Sequence, residues 1–325
     1  MHILKKLGKI ILVILIVLIV LVLFASLFFK FKSSHYYLFT KTEQAIEEKY
    51  TKMGNFKVDN MKIEVDDDTI GTYTIWYPKA IEKESKQYPA MVIANGTGVP
   101  ASNYSSFFKH LASWGFIVIG NEDQNSRTGL SSEKSLSFLL SENEQTNSKL
   151  YHKIDTEKIG IAGHSQGGVG AINAATVQPH HNVYQAIYAV SPTSSFWGQA
   201  NQLGTDWKYQ MDKVTQPVFL AAGTGAFDAG TATTFEETTG QGIAPLWSLE
   251  ESFEQSPSTI KVMTRKTDID HGESYQAIDG YMTAWFVWLL QANPTAGKVF
   301  LGDEQAELFR NPLYQDTRIT VSDNK

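Results

Sequence analysis

The sequence predicts an α/β domain built on a mostly parallel, doubly wound sheet of about eight strands, preceded by one N-terminal transmembrane helix. From about residue 55 onward, short apolar runs bounded by Gly or Pro alternate with helix-length connections, as in strands buried on both faces. The 325 residues are 42% hydrophobic, ample for one large core. The apolar residues are also unevenly spread, because Ile10 to Phe29 holds no charge and only Ser26 as a polar side chain.

At about 1.5 Å per residue, twenty helical residues span roughly the 30 Å hydrocarbon layer. A secretory signal peptide is the competing reading, but its apolar region is shorter and Ala25-Ser26-Leu27 is a poor cleavage match. A buried core helix fits worse, since Lys5, Lys6 and Lys9 flank one end and Lys30 and Lys32 the other. The slight positive bias at the amino terminus puts a cytoplasmic tail at 1–9, a signal-anchor helix at 10–29, a juxtamembrane stalk at 30–58 and an extracellular α/β domain at 59–325.

Residues 1–32 carry five lysines and no acid, so the remainder holds 23 basic and 34 acidic residues and a net charge near −11. Such a surface repels phosphate backbones, and nucleic acid is not an expected partner. The chain has no cysteine, which excludes disulfides, thiolate metal sites and a cysteine nucleophile.

After the anchor, Thr40-Lys41-Thr42-Glu43 has the pattern of a capping box, predicting a short helix that ends near Gly54. Strands are then expected at 61–65, 72–77, 90–94, 116–120, 158–162, 186–190, 217–222 and 259–263. Helical stretches fall at 104–113, 131–141 and 168–177. A last helix over 275–291 aligns Tyr281, Met282, Trp285, Trp288 and Leu289 at helical spacing, a stripe that reads as core packing. Residues 223–242 are a Gly- and Thr-rich loop after a strand end, where functional residues concentrate.

The run Ile159-Gly-Ile-Ala-Gly-His-Ser-Gln-Gly-Gly168 is a strand entering a glycine-flanked serine and then a helix of small residues. A nucleophilic serine on so tight a turn is pushed out of the packed layers, and Gly163 and Gly167 allow the backbone to approach closely. The backbone N–H of Gln166 can then point at the oxygen of a carbonyl under attack. Serine needs a histidine to take its proton, and that histidine needs an acid to orient it. Asp228 follows the strand at 217–222, and His271 follows the next strand, just before the final helix. Asp270 is the alternative acid; Asp268 is also near His271 in sequence.

The order Ser165, Asp228, His271, each at a strand's carboxyl end, is that of the α/β-hydrolase fold. The stretch Pro89 to Asp123 with Ala112-Ser-Trp-Gly-Phe-Ile-Val-Ile119, the elbow Gly163 to Gly168, and His271 followed by Gly280-Tyr-Met-Thr-Ala-Trp285 resemble the dienelactone-hydrolase-like branch. Within it the resemblance is closest to bacterial cutinases and polyester hydrolases and covers about residues 60 to 315. It implies a carboxylic ester hydrolase that needs no cofactor and takes an ester-type small molecule or a lipid or cell-envelope ester. It also implies a second oxyanion donor in Ala94-Asn-Gly-Thr-Gly98, where the backbone N–H of Thr97 aligns. Polyester hydrolases usually place aromatic residues where this chain has Thr97 and Thr193, so the flat aromatic clamp is not carried over, although Trp197 lies near in sequence.

Glu122 and Trp197 are possible pocket residues. His164 is expected to pack or cap locally, and His180 and His181 to be solvated. No cluster has metal-ligand spacing. The same machinery would serve an acyltransferase, a peptidase or a carbohydrate acetylesterase, and a catalytically inactive tethered binding protein is the alternative of a different class.

Overall fold

A computed structural model describes residues 2–322, which fall into two compact units divided between Thr40 and Lys41. In the first, helix α1 (His2–Ser34) is unbroken, and its segment Ile14–Ser34 is long and apolar enough to cross a membrane. Side chains from Ile14 to Phe29 are exposed, a property shared by membrane spans and signal sequences. The helix runs beyond the expected end at residue 29 because nothing from Lys30 to Ser34 breaks it.

The second unit begins at Lys41, not at residue 59, and the helix expected in a stalk is part of it. That helix, α2 (Ala45–Thr51), is too short to persist alone. The expected capping box does not form; the Glu307 carboxylate instead accepts the amides of Ile46 at 3.0 Å and Glu47 at 2.9 Å. The Glu47 carboxylate is buried and accepts from Lys266 Nζ, Tyr314 Oη and Asn311 Nδ2, each at 2.8 Å. Burial pulls the Lys266 pKa below its ordinary value even though Glu47 opposes it. The ammonium is nevertheless fully satisfied, with further bonds to the carbonyls of Lys41 at 3.0 Å and Ala277 at 2.7 Å. Removing one partner from such a buried pair typically costs about 3–5 kcal/mol, so segment 41–51 is an integral part of the domain.

The sheet has nine strands among the described residues: β1 (Val58–Glu64), β2 (Thr72–Pro78), β3 (Tyr88–Ala94), β4 (Ile117–Asn121), β5 (Ile154–His164), β6 (Tyr184–Val190), β7 (Val218–Gly223), β8 (Ile260–Lys266) and β9 (Tyr314–Val321). Their order is β1-β2-β4-β3-β5-β6-β7-β8-β9. Pairs from β4 through β8 are parallel, and β1/β2, β2/β4 and β8/β9 are antiparallel. All eight expected strands are present. The ninth was not predicted, because this edge strand is mostly half-exposed and its sequence carries no apolar run.

Nine further α-helices belong to the unit among the described residues: α3 (Ser105–Ser113), α4 (Leu130–Glu144), α5 (Gln166–Ala174), α6 (Ala226–Ala229), α7 (Leu246–Gln255), α8 (Ser274–Ala277), α9 (Asp279–Gln291), α10 (Pro294–Gly297) and α11 (Glu307–Arg310). Alternate residues of each central strand feed opposite faces of the sheet. Ala90, Val92 and Ala94 of β3 join a core with Leu136 of α4, Ile172 of α5 and Leu249 of α7. Met91 and Ile93 join a second core with Phe108 of α3 and Met282, Trp285 and Phe286 of α9. The stripe on α9 is therefore core, with Tyr281, Met282 and Trp285 fully buried and Trp288 and Leu289 packed at its margin. With both faces covered, the open ends of the parallel strands are where side chains remain free for chemistry, and β5, β7 and β8 end on one edge.

Candidate active site

At the carboxyl end of β5 the chain reverses within one residue. Ser165 has φ 60° and ψ −123°, a conformation unfavourable for any residue but glycine, and helix α5 starts at the next residue. The flanking glycines are sterically required. A Cβ on Gly163 would lie 1.9 Å from the Gly167 carbonyl oxygen, and one on Gly167 would lie 2.2 Å from the Ala94 carbonyl oxygen.

The loops after β7 and β8 bring two more side chains to this turn. His271 Nε2 lies 2.9 Å from Ser165 Oγ, and His271 Nδ1 lies 2.9 Å from Asp228 Oδ1. Asp228 is fully buried, yet its other oxygen accepts from the Gly223 amide and from Ser191 Oγ, both at 2.6 Å. A buried carboxylate that accepts from three donors can fix the imidazole with Nδ1–H toward itself, leaving Nε2 to take the serine proton. The loop is braced from both ends, because Lys266 at the end of β8 also bonds the Ala277 carbonyl at the end of α8.

Asp270, the alternative acid, is used differently. Its Oδ1 accepts the amides of Asp228 and His271 at 2.8 Å, and Oδ2 accepts that of Phe227 at 3.3 Å. Burial pushes its pKa up, but these amides and the nearby His271 outweigh burial and leave it below the ordinary carboxylate range. It thus ties the Asp228 and His271 loops together through their backbones. Asp268 is exposed, and its amide bonds Thr224 Oγ1 at 3.1 Å.

On the opposite side of Ser165, Gln166 Nε2 donates to Thr97 Oγ1 at 2.9 Å. The buried Gln166 side chain therefore pins the loop after β3 against the elbow, and Thr97 of that loop lines the same cavity as Ser165. That loop is further fixed by Asn95 Nδ2, which donates to the Asn121 and Asp123 carbonyls at 2.7 and 2.6 Å.

A cavity of about 390 Å³ opens at Ser165 and His271, within the usual range for small-molecule sites. Its apolar wall comes from Val99, Leu203, Trp207, Phe227 and Ile243, with Thr97 and Thr193 among the lining residues and no acidic or basic side chain except the histidines. The Trp207 ring is held by the Arg127 guanidinium, 5.3 Å from its centroid, and Arg127 in turn pairs with Asp206 at 2.6 Å. Phe227 lies edge-on to the His271 ring at 5.3 Å.

Two pocket residues expected from sequence lie elsewhere. The Glu122 carboxylate points at the start of the segment before α3, accepting from Ser102 N at 3.0 Å and Ser102 Oγ at 2.7 Å. Trp197 donates its indole N–H to the Gly242 carbonyl at 3.2 Å and packs on Phe196. In sequence only their position near strand ends was visible, and that does not set the direction of a side chain. The cavity's own aromatic residues, Trp207 and Phe227, sit in a 3-10 turn (Thr205–Trp207) and in the single-turn helix α6, elements too short for a sequence pattern to reveal. Among the described residues no group of three or more His, Asp or Glu side chains is arranged to hold a metal.

His180 and His181 stay away from the site, bonded to Glu133 and to the Gln178 carbonyl. His164 does more than local packing, since its Nε2 lies 2.8 Å from the His271 carbonyl and its ring tilts over the His271 ring at 4.7 Å. Burial, then repulsion from His271, lowers its pKa to about 4. It is neutral near neutral pH and donates Nε2–H to that carbonyl. Between pH 6.5 and 4 the unfolded chain binds a proton at this position that the folded chain refuses. The stability tied to this residue is thus complete above pH 6.5 and lost as pH falls toward 4. Thermal denaturation of the full chain from about pH 7 to 4.5 should show a steeper loss of Tm for wild type than for His164→Phe, and equal slopes would contradict this assignment.

Comparison with known proteins adds family information. A family model described as PET hydrolase-like matches residues 41–201, a stretch with the Thr97 loop and the Ser165 elbow. Cutinase est1 of Thermobifida alba is 28% identical over 117 residues, covering 34% of this chain and 37% of its own. Cutinase 2 of Thermobifida cellulosilytica is 30% identical over 118 residues, covering 34% and 42%. Cutinase cut1 of Thermobifida fusca is 30% identical over 118 residues, covering 34% of each chain. The chain thus spans between about a third and two fifths of the length of these relatives. The doubly wound sheet and its strained serine elbow agree with these likenesses: the chain has an α/β-hydrolase fold and is similar to cutinases and PET hydrolase-like proteins.

Proposed function

We propose that this chain is a serine hydrolase that cleaves carboxylic esters through an acyl-enzyme, with Ser165 as nucleophile, His271 as general base and acid, and Asp228 as the orienting acid. The observation that carries this reading is the unbroken run of hydrogen bonds from Ser165 Oγ through His271 to buried Asp228, at the mouth of an apolar cavity. His271 Nε2 takes the Ser165 proton as Oγ attacks the ester carbonyl, and the amides of Thr97 and Gln166 bind the oxyanion. Collapse of the tetrahedral intermediate breaks the ester C–O bond, and His271 returns the proton to the leaving alkoxide. Water then attacks the acyl-enzyme with the same base, regenerating Ser165 and releasing the acid.

The wall of Val99, Leu203 and Ile243 favours an aliphatic acyl or alkyl group. Thr97 and Thr193 leave the cavity without the aromatic pair that would clamp a polymer ring, although Trp207 and Phe227 still offer ring surfaces. Cutinase activity of the relatives supports the ester-hydrolase class. Incubation of the full chain with a fluorophosphonate should label wild type and leave Ser165→Ala unlabelled; no labelling of folded wild type would sink the proposal.

The apolar helix α1 supports a membrane-anchored protein with its amino terminus in the cytoplasm and the hydrolase unit outside, acting on envelope or lipid esters. Protease added to intact cells should then degrade the hydrolase unit, and its full protection would overturn the orientation.

A further inference from the structure

Behind the Asp228 carboxylate lies a second pair of serines that the acyl-enzyme chemistry does not use. Ser191 follows the last residue of β6, and Ser274 opens α8 three residues after His271. Both are fully buried, and neither lines the cavity at Ser165. Ser191 Oγ lies 2.6 Å from Asp228 Oδ2 and 2.7 Å from Ser274 Oγ, and Ser274 Oγ lies 3.0 Å from the His271 carbonyl. The contacts close a ring from the His271 imidazole through Asp228, Ser191 and Ser274 back to the His271 backbone.

Counting protons fixes the direction of this ring. An ionised carboxylate has no proton to give, so Ser191 donates its single hydroxyl proton to Asp228. At the 2.7 Å contact Ser191 is then the acceptor, and Ser274 donates there when its single proton is turned from the His271 carbonyl, which it also reaches at 3.0 Å. The His271 carbonyl keeps a donor, because His164 Nε2–H reaches it at 2.8 Å. Each hydroxyl in the chain Ser274, Ser191, Asp228 polarises the next toward the carboxylate.

The backbone at Ser191 gives an independent reason to assign it a role. Its φ is 47°, in the left-handed region that disfavours every residue but glycine and, less strongly, asparagine and aspartate. Glycine would sit there without strain, so the position holds a strained residue whose side chain does nothing but meet Asp228 and Ser274.

We propose that Ser191, backed by Ser274, is a positioning residue for the hydrolysis proposed above: its hydroxyl holds the Asp228 carboxylate in register with the His271 imidazole and absorbs part of the carboxylate's charge. Without it, Asp228 rests on the Gly223 amide and the imidazole alone, and more of its charge bears on the imidazole. The protonated imidazole then gains stability relative to the neutral base, and the acid limb of the activity profile moves to higher pH. The other titratable groups around the ring are Asp270 on the His271 loop, His164 from the elbow and Tyr275 of α8, which contacts His164. None of them changes in the variants below.

The test uses Ser191→Gly, which deletes the hydroxyl and relieves the strain, together with Ser191→Ala and Ser274→Ala, all in the full chain in detergent. A hydrogen bond to a charged group is of a size to move the acid limb of the kcat profile for a nitrophenyl ester upward by about one pH unit in Ser191→Gly. kcat at neutral pH should fall severalfold with KM unchanged, since neither serine touches the cleft. Ser274→Ala should shift the limb in the same direction by less. The NMR resonance of the His271 Nδ1 proton should move downfield in Ser191→Gly, and this signal reports the His271–Asp228 bond whether or not any ester is turned over. A resonance and a profile that match wild type in Ser191→Gly would overturn the proposal. Wild type that cleaves no ester and takes no fluorophosphonate would instead overturn the hydrolase reading, with the resonance still deciding the role of Ser191.

Discussion

A Cβ on Gly163 would meet the Gly167 carbonyl oxygen at 1.9 Å, and that close approach is what lets β5 pass into α5 through a single strained serine. Strand and helix both belong to well-packed layers, so the strain at Ser165 is held by elements that cannot relax around it. The turn lifts the hydroxyl above the sheet's carboxyl edge and starts a helix directly beneath it. Gln166, the first residue of that helix, reaches across to Thr97 and sets the β3 loop in place. The exposed serine hydroxyl, the placement of the β3 loop and the cavity mouth are thus consequences of one backbone constraint.

The other half of the site depends on a carboxylate placed where water does not reach. An isolated buried charge is strongly disfavoured, and Asp228 is tolerable because each of its oxygens is bonded, to His271 on one side and to Gly223 and Ser191 on the other. The loops that carry these groups have little regular structure of their own. Asp270 binds their amides, Lys266 spans the ends of the His271 loop, and Glu47 holds Lys266. The short helix α2 therefore matters to the site although it lies far from Ser165 and His271 in sequence and lines no part of their cavity.

The central strands were legible because burial on both faces demands unbroken apolar runs, and the elbow because only glycine fits beside so tight a turn. The edge strand β9 escaped notice for the opposite reason: half its surface is free, so its residues need not be apolar. Asp228 and Asp270 were both candidates in sequence; the choice rests on direction, since Asp270 turns back to the backbone amides beside it. Glu122 and Trp197 were misplaced because position near a strand end fixes the edge of the sheet and not the aim of a side chain. Ser191 gave no signal at all, for its distinguishing features are a positive φ and a buried partner 37 residues away in the chain.

Rapid mixing of the full chain with a nitrophenyl ester, followed by acid quench and peptide mapping, tests covalent catalysis at Ser165 most directly. A burst of about one nitrophenolate per chain, with the acyl group recovered on the peptide containing Ser165, is the predicted result. Turnover without a burst and without any acylated Ser165 peptide, under conditions where deacylation is slow, would contradict it.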